Sequence, residues 1–363
     1  MNISSIASNL KRIRAIKGFK QEELANQAGL SRVAYSSIEN AKSEPRVSNL
    51  QKLADVLGVS IVELIKPVPQ LASLRFRKNN MTKRERDKRD QIVIDVAYWL
   101  KDFNFLESEL QYEKVFKLKK CKGKSPEEIA QNARELLGLK KDEPINDICG
   151  LVENAGIKIQ LIVSELDKFF GLSAFGPKGC PAVIVNVSDN ITVERQIFTV
   201  AHELGHILLH KNSYNPDEIR EPSVEEKEAD EFAGYFLMPR DAFIKSWKEN
   251  EGLHWFDNIL HIKRIYKVSY QTVLRRLKGL GAPDLYKDFY RIHKTKYGRD
   301  LKNHKEPIPL DKIDFLEDRL SKLVRDAYEK EMISFSRAAE VLRINNDEMR
   351  ERVNSWEELN ELV

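Results

Sequence analysis

The sequence predicts an α+β protein. We expect an all-α N-terminal domain of five short helices, then a mainly helical domain with a small sheet, and a helical C-terminal region. Three observations predict this class. Apolar residues recur at helical spacing through residues 1–66. Runs rich in β-branched residues at 157–163 and 182–187 are typical of strands, and amphipathic helical patterns return after Pro239.

The length of the chain predicts more than one domain. At 363 residues it exceeds the usual size of a single hydrophobic core. We predict an N-terminal helical domain, a charged and amphipathic linker segment, a compact α+β core and a helical C-terminal region. Their respective bounds are 1–66, 67–122, 123–240 and 241–363.

Helix-ending and helix-capping residues divide the first domain into five helices. Gly18 ends the first helix and Gly29 ends the second, and Ser31 caps the third. Ser48 opens the fourth, and Ser60 begins a capping box for the fifth. The short connection between the second and third helices predicts a helix-turn-helix, although a plain corner of a helical bundle would have the same spacing.

Basic residues concentrate in this first domain, although the net charge of the whole chain is only +4. Affinity for nucleic acid must therefore come from a local basic face, and such cations supply salt-dependent binding to phosphates. This favours double-stranded DNA as a partner. The cations are Lys11, Arg12, Arg14, Lys17, Lys20, Arg32, Lys42 and Arg46.

The linker segment is charged first and amphipathic later. The run from Arg75 to Arg89 could extend a DNA-binding surface, but a solvated linker helix is the commoner explanation of such runs. Residues 91–110 predict an amphipathic helix whose packing partner the sequence leaves open.

The core begins with a strong helix start. Ser125 stands at the cap position, Pro126 in the first turn and Glu128 three residues after the serine. A second helix is expected around 145–154, followed by the two strands near 157–163 and 182–187.

The most informative motif follows these strands. His202 and His206 lie four residues apart, so on an α-helix both imidazoles stand on one face and can reach one metal ion. Glu203 follows the first histidine, where a carboxylate can act as general base on a metal-bound water. Two exposed histidines on an ordinary amphipathic helix are the plain alternative.

A catalytic zinc needs a third protein ligand and an open position for water. Downstream, Glu225 and Glu226 both lie near the edge of the buried face of a second predicted helix, and helical phase does not choose between them. We choose Glu226 because Asp230 follows four residues later. There a second carboxylate could accept the remaining N–H of a ligating histidine. An acidic helix start is the alternative.

Together these segments resemble the ImmA/IrrE family of zinc metallopeptidases. The resemblance covers Glu194–His206, Glu226–Ala233 and Phe236–Pro239, with Gly171–Ser173 and Ala182–Asn186 similar to strands of that family. It implies a zincin-like fold, with His202, His206 and Glu226 as Zn²⁺ ligands and Glu203 as catalytic base. We expect Asp230 to bond to a ligating histidine without contacting the metal. The family often has asparagine at this position.

The N-terminal domain resembles the XRE family of lambda-repressor-like domains, through Gln21–Ala25, Gly29–Asn40 and Pro45. The resemblance implies that Gln21 contacts the DNA backbone. It also implies that Ser31, Arg32, Val33 and Ser36 face the major groove, with Arg32 the candidate for reading guanine. We expect Tyr35 and Ile38 to lie in the core.

From these features we expect a DNA-binding transcriptional regulator with zinc endopeptidase activity. Its protein substrate would be a helix-turn-helix repressor, a toxin–antitoxin partner or its own linker, and a homodimer would suit a palindromic operator. The alternative is a transcription factor or antitoxin in which the zinc fold is only a sensor or scaffold.

The remaining signals concern the oxyanion donor and the cellular compartment. We expect His210 and Tyr235 to be packing or surface residues rather than donors to an oxyanion. Cys121, Cys149 and Cys180 are too scattered for a disulfide framework. No signal peptide or long apolar run is evident, so we expect a cytoplasmic protein without a membrane partner.

Overall fold

The computed structural model describes residues 2–67, 69, 71–76, 81–176, 179–211, 223–250, 252–301 and 305–361. The chain divides into two compact units. The first comprises residues 1–70 and 81–103, and the second comprises residues 71–80 and 104–363.

The first unit is helical. It contains α1 (Ile3–Ile16), α2 (Gln21–Gln27), α3 (Arg32–Glu39), α4 (Val47–Leu57), α5 (Ile61–Ile65) and the first part of α6 (Lys83–Leu110). The five helices predicted for the N-terminal domain are thus confirmed. One detail differs, because α4 begins at Val47 after Arg46, and Ser48 lies inside the helix instead of capping it.

Helices α1 to α5 share one apolar core, which includes Leu10, Leu24, Tyr35, Ile38 and Leu53. Tyr35 and Ile38 are therefore core residues, as predicted. Helix α6 packs on α1, where the Tyr98 hydroxyl donates to Asn9 Oδ1 at 2.6 Å. The guanidinium of Arg12 lies 4.2 Å from the centre of the Tyr98 ring. These contacts identify α1 as a packing partner of the first part of the amphipathic segment, whose partner the sequence left open.

The second unit is mainly helical as well. Short 3-10 turns lie between some of its longer helices, among them Lys117–Lys120 and Lys312–Asp314. Those helices are α7 (Pro126–Leu136), α8 (Ile148–Asn154), α9 (Val193–Leu209), α10 (Ser223–Leu237), α11 (Arg240–Glu249), α12 (Trp255–Tyr266), α13 (Tyr270–Gly279), α14 (Tyr286–Tyr297), α15 (Arg319–Glu329), α16 (Phe335–Leu342) and α17 (Asn346–Glu361).

Among the described residues of this unit, four strands form one small sheet. They are β1 (Ser73–Phe76), β2 (Lys158–Ile162), β3 (Gly171–Phe175) and β4 (Pro181–Asn186). The strand order is β1-β3-β4-β2, with β2 and β4 parallel and the other two pairs antiparallel. Every residue of β4 is buried, which explains its continuous apolar sequence.

Strand β1 corrects the interpretation of the charged run for Arg75. We expected a solvated helix or a DNA-binding surface, but Arg75 is only 7% exposed and lies in β1 opposite Ser173. The arginine is tolerated there because Glu225 and Glu226 pair with its charge. Residues 77–80 of the run lie outside the described part of the chain, and from Lys83 onward the run is helical.

Helix α9 is held between the sheet and α10 by close contacts at two glycines. A Cβ atom on Gly205 would lie 3.0 Å from Phe232 Cδ1 and 3.3 Å from Ala229 Cα, both in α10. A Cβ atom on Gly171 in β3 would lie 2.5 Å from Thr199 Cγ2 in α9. The absence of a side chain at both positions lets β3, α9 and α10 meet at the level of His202 and His206.

The start of α9 is anchored from the C-terminal side. Lys263 in α12 is fully buried, and its ammonium group pairs with the buried carboxylate of Glu194. Glu194 also accepts a hydrogen bond from the backbone N–H of Leu310 at 2.9 Å. Burying this ion pair with its hydrogen bonds fixes α9 at its first turn.

The last helices continue the second unit. Helices α15, α16 and α17 bury Val324, Ala338 and Met349, and the Arg325 guanidinium donates to the carbonyl oxygen of Trp356 at 3.3 Å. Within the described residues, none of the helices combines the length and the apolar character needed to cross a bilayer.

Candidate metal centre and DNA-binding face

Two imidazole rings of α9 face the same point. His202 is 6% exposed and His206 is fully buried, and their Nε2 atoms lie 3.1 Å apart. The four-residue spacing on a continuous helix produces this geometry, because it places both rings one above the other.

Glu226 of α10 completes the cluster. Its Oε1 lies 3.3 Å from His206 Nε2, and its Oε2 lies 3.6 Å from His202 Nε2. One ligating atom from each of the three residues lies within 4.8 Å of the other two. Helix α10 presents this carboxylate because its opposite side buries the apolar residues predicted for it, Ala229, Phe232, Ala233, Phe236 and Leu237.

A carboxylate fixes the tautomer of His202. Asp230 Oδ1 lies 2.8 Å from His202 Nδ1, so the Nδ1–H donates to Asp230 and the lone pair is left on Nε2. Burial raises the pKa of Asp230, but the hydrogen bond from His202 and nearby positive charges outweigh burial and lower it overall. Asp230 is therefore a stable acceptor for this ring.

His206 is oriented by a longer chain of side chains. His206 Nδ1 lies 2.8 Å from His210 Nδ1, and His210 Nε2 lies 2.9 Å from Glu228 Oε2. Because a carboxylate only accepts, His210 donates from Nε2 to Glu228 and accepts on Nδ1 from His206. The lone pair of His206 therefore also lies on Nε2.

This role of His210 differs from the sequence prediction, in which His210 was a packing or surface residue. The structure buries His210 and bonds it to His206, and burial lowers the pKa of its imidazole. A signal was present in the sequence, since His202, His206 and His210 follow at four-residue intervals along one helical stripe. Tyr235 is a packing residue as expected, with the Arg276 guanidinium 4.0 Å from its ring centre.

The donor set fits a zinc ion. Two neutral imidazole nitrogens and one carboxylate are the kinds of ligand that Zn²⁺ takes, and three protein ligands leave a fourth position open. Two nitrogen lone pairs facing each other at 3.1 Å repel unless a cation lies between them. With both Nδ1 atoms donating, either ring would need a second proton to donate from Nε2 as well.

Glu203 lies beside the cluster and is held by the sheet. It is 2% exposed, and the Ser173 hydroxyl of β3 donates to its Oε2 at 2.7 Å. A cavity of about 40 Å³ lies against Glu203 and is also lined by Lys168, Arg195, Thr199 and His202. A cavity of this size has room for a water molecule next to the carboxylate.

Arg75 contacts the same group of carboxylates from β1. Its Nη2 lies 3.1 Å from Glu226 Oε1, and its Nη1 pairs with Glu225. Burial disfavours the guanidinium charge, but hydrogen bonds to the two glutamates outweigh this effect and raise the pKa of Arg75. The two glutamates that helical phase could not separate therefore differ in their neighbours. Both contact Arg75, and Glu226 also reaches the histidines.

The other histidines lie away from this cluster where the structure describes them. His254 accepts a hydrogen bond from the backbone of Phe256 at the start of α12, and His261 is exposed. His293 is buried, with Nδ1 3.1 Å from the carbonyl oxygen of Arg299. His304 lies outside the described residues.

In the first unit, the start of α3 presents the residues expected to read DNA. Ser31 caps the helix by accepting from the backbone N–H of Ala34 at 3.2 Å. Arg32 and Val33 are exposed, Val33 by 76%, while Ser36 is half-buried. Val33 therefore buries little apolar surface within the described part of the first unit.

Gln21 begins α2 and is tied to the core of the first unit. Its side-chain amide donates to the buried carboxylate of Glu39, which also accepts from Arg14 Nε at 2.9 Å. This network fixes the start of α2 relative to α3. A side-chain amide has two N–H donors, so one such bond does not use up its capacity.

Two protein families match different parts of the chain. Residues 10–64 match the helix-turn-helix family HTH_3, and residues 158–278 match the IrrE N-terminal-like domain family, Peptidase_M78. The second match spans β2, β3 and β4 together with α9 and α10, and so contains the whole His202, His206 and Glu226 cluster.

Similar individual proteins match the N-terminal part. The uncharacterized HTH-type transcriptional regulator y4dJ of Sinorhizobium fredii is 42% identical over 65 residues, covering 18% of this chain and 84% of that protein. The SPbeta prophage-derived uncharacterized HTH-type transcriptional regulator YonR of Bacillus subtilis is 40% identical over 57 residues, covering 16% of this chain and 53% of that protein.

A solved structure is also similar to this region. The hypothetical transcription factor NHTF from Neisseria is 38% identical and covers 18% of this chain and 75% of that chain, with a TM-score of 0.18. At this TM-score the likeness rests on sequence. These three relatives therefore concern less than a fifth of the chain.

Proposed function

We propose that this chain, which belongs to the helix-turn-helix family of transcriptional regulators and contains an IrrE N-terminal-like domain, is a DNA-binding regulator that also hydrolyses peptide bonds with zinc. The convergence of His202 Nε2, His206 Nε2 and Glu226 beside Glu203 is the observation that supports the peptidase most strongly.

Each side chain has a separate task in this reaction. A zinc ion held by His202, His206 and Glu226 would polarise the scissile carbonyl and lower the pKa of a bound water toward neutrality. Glu203 accepts the proton of the water and delivers it to the leaving amine. The Ser173 hydroxyl donates a hydrogen bond to one oxygen of Glu203. This bond fixes the orientation of the carboxylate for the proton transfer.

Asp230, His210 and Glu228 keep the two ligating rings in the required tautomer. Each of the two Nδ1–H groups has an acceptor, and each Nε2 keeps its lone pair for the metal. This arrangement lowers the cost of ordering the ligands when zinc binds.

The regulator function suggests the substrate class. A peptidase attached to a DNA-binding domain can switch transcription by cleaving a second helix-turn-helix repressor, a toxin–antitoxin partner or its own linker. On the DNA side, we assign contacts to Gln21, Ser31, Arg32, Val33 and Ser36, and we expect a homodimer on a palindromic operator.

One observation favours a second function, in which the zinc fold senses or scaffolds without cleaving. Arg75 already pairs with Glu226, so part of the ligand charge is neutralised by the protein itself. The peptidase function requires cleavage of peptide bonds, whereas the sensor or scaffold function requires that no peptide bond is cleaved.

The test of the peptidase is the substitution Glu203→Gln in the full-length chain. We expect cleavage of a repressor encoded beside this gene to fall by about 10²–10⁴-fold, because the general base is lost. Zinc content and DNA affinity should stay unchanged. Glu231→Gln, at an exposed glutamate of α10, is the matched control and should cleave at the original rate. Unchanged proteolysis in Glu203→Gln would remove this residue from the mechanism.

The test of the DNA-binding face is Arg32→Ala. We expect the free energy of operator binding to weaken by about 1–3 kcal/mol in a mobility-shift titration, because a bidentate hydrogen-bonded contact to guanine is lost. Lys52→Ala, at an exposed lysine of α4, should bind almost normally. Equal loss of affinity in both variants would show that Arg32 contributes only general charge.

A further inference from the structure

We propose that the outer edge of β3 is the peptide-binding edge of the candidate peptidase, and that β1 occupies this edge as an inhibitory strand anchored by Arg75. The substrate class that follows is an extended peptide with an arginine opposite Ser173. This inference rests on the proposed peptidase function and adds where its substrate binds and how access is controlled.

Strand β3 lies beside the candidate catalytic carboxylate, Glu203. Ser173 of β3 bonds directly to Glu203, and Gly171 of β3 touches Thr199 of α9. Extended peptides bind to sheets by adding a strand to an exposed edge. One edge of β3 is taken by β4, so a peptide bond that must approach Glu203 has to run along the other edge.

Residues of this chain already lie along the edge of β3 that faces away from β4. Strand β1 pairs antiparallel with β3 on that edge, with Leu74 opposite Ala174 and Arg75 opposite Ser173. Neighbouring strands lie about 4.8 Å apart, so the backbone of β1 takes the position that an added peptide strand would take. Four residues are enough to fill the edge beside Glu203.

The Arg75 side chain extends from β1 toward the carboxylates of the candidate metal site. Directly opposed residues of paired strands project from the same face of a sheet, so Arg75 projects on the face from which Ser173 reaches Glu203. There its guanidinium contacts Glu225 and Glu226, and Glu226 is the candidate third ligand. An arginine of a bound substrate could make the same two contacts.

The space beside Glu203 is too small for a peptide. The cavity beside Glu203 measures about 40 Å³, which suits a water molecule but not the backbone and side chains of a peptide. No residue of β1 lines this cavity, but β1 pairs with the edge of β3 beside it, so a peptide that adds to that edge has to displace β1. Because β1 is covalently attached, a free peptide competes with an effective local concentration in the millimolar range, typical of a short tether.

The position of β1 in the chain connects this displacement to the DNA-binding unit. Residues 71–80 interrupt the first unit, which contains residues 1–70 before them and 81–103 after them. Both ends of the inhibitory strand are therefore joined to the unit that binds DNA.

The first test compares cleavage of an unfolded protein, β-casein, by zinc-loaded full-length variants. Arg75→Glu places a negative charge against Glu225 and Glu226 and should release β1, so we expect cleavage at least tenfold faster than in the unsubstituted chain. Arg264→Glu, at an exposed arginine of α12, is the matched control and should not change the rate. Where the unsubstituted chain cleaves casein, an unchanged or reduced rate in Arg75→Glu overturns the proposal.

The second test does not depend on catalysis. A labelled peptide with the sequence of residues 71–76 is titrated into full-length Glu203→Gln and into Glu203→Gln with Arg75→Glu. We expect at least tenfold tighter binding to the double variant, with slower hydrogen exchange in β3, and no binding of a peptide with glutamate in place of the arginine. Equal binding to both proteins overturns the proposal.

Together the two tests separate this inference from the proposed function. Peptide binding to β3 without cleavage of casein by any variant would support the edge assignment and contradict the peptidase. Casein cleavage at one rate in all variants, without peptide binding, would support the peptidase and contradict the edge assignment.

Discussion

The hydrogen-bonded chain from Glu228 through His210 determines which nitrogen of His206 faces the candidate metal. Without His210, the Nδ1 of His206 would lose its buried acceptor, and both tautomers of the ring would be accessible. Only one of them carries a lone pair on Nε2. The affinity for zinc should therefore depend on a side chain that does not touch the metal.

We predict that His210→Ala lowers the zinc affinity of the full-length chain by about 10–100-fold, the usual effect of removing such an outer partner. Competition against a chromophoric chelator measures this affinity. His261→Ala, at an exposed histidine, should leave it unchanged. Equal affinity in the His210→Ala variant would show that the histidine chain has no part in metal binding.

At the residue scale, spacing identified the parts of the site that lie on one helix. The interval between His202 and His206 predicts their convergence because helical geometry depends on the local sequence alone. The contacts of Arg75 with Glu225 and Glu226 join residues about 150 positions apart, and no local pattern reveals them. The choice of Glu226 over Glu225 depended on the position of Asp230 in the sequence.

At the scale of elements, the site depends on how closely α9 and α10 approach. Gly205 faces Phe232 and Ala229, so a side chain at this position would push α10 outward and move Glu226 away from the histidines. The distance between two helices thus controls the distance between two ligands.

We predict that Gly205→Ala destabilises the protein by about 1–3 kcal/mol through overpacking and also weakens zinc binding. Urea unfolding and metal titration measure the two effects. Gly279→Ala is the matched control, because a Cβ there would meet no atom within 4 Å, and a helical alanine is favoured over glycine by up to about 1 kcal/mol. Similar behaviour of the two variants would mean that the close approach of α9 and α10 has no energetic consequence.

Element prediction succeeded where a pattern was long. The apolar face of α10 was assigned correctly, because five residues at helical spacing define it. Strand β1 was missed for a physical reason. Its four residues are too few for an alternation of apolar and polar residues to be recognised. Its arginine predicted a solvent-exposed position, because the sequence does not show that carboxylates of α10 pair with it.

At the scale of the whole molecule, two kinds of chemistry share one chain. The helix-turn-helix residues lie in the first unit and the candidate metal centre in the second. The sequence predicted both from separate motifs, together with the α+β class. The interruption of the first unit by residues 71–80 was beyond prediction, because it arises from strand pairing across almost 100 positions of sequence.

The zinc content of the purified full-length chain tests the central claim most directly. Metal analysis by mass spectrometry should find about one zinc ion per chain in the unsubstituted protein and in Glu203→Gln, whose substitution leaves all three ligands in place. His206→Ala should retain less than about a tenth of this zinc while keeping its helical circular dichroism, since one ligand of three is lost. A zinc-free unsubstituted chain, or undiminished zinc in His206→Ala, would contradict the account.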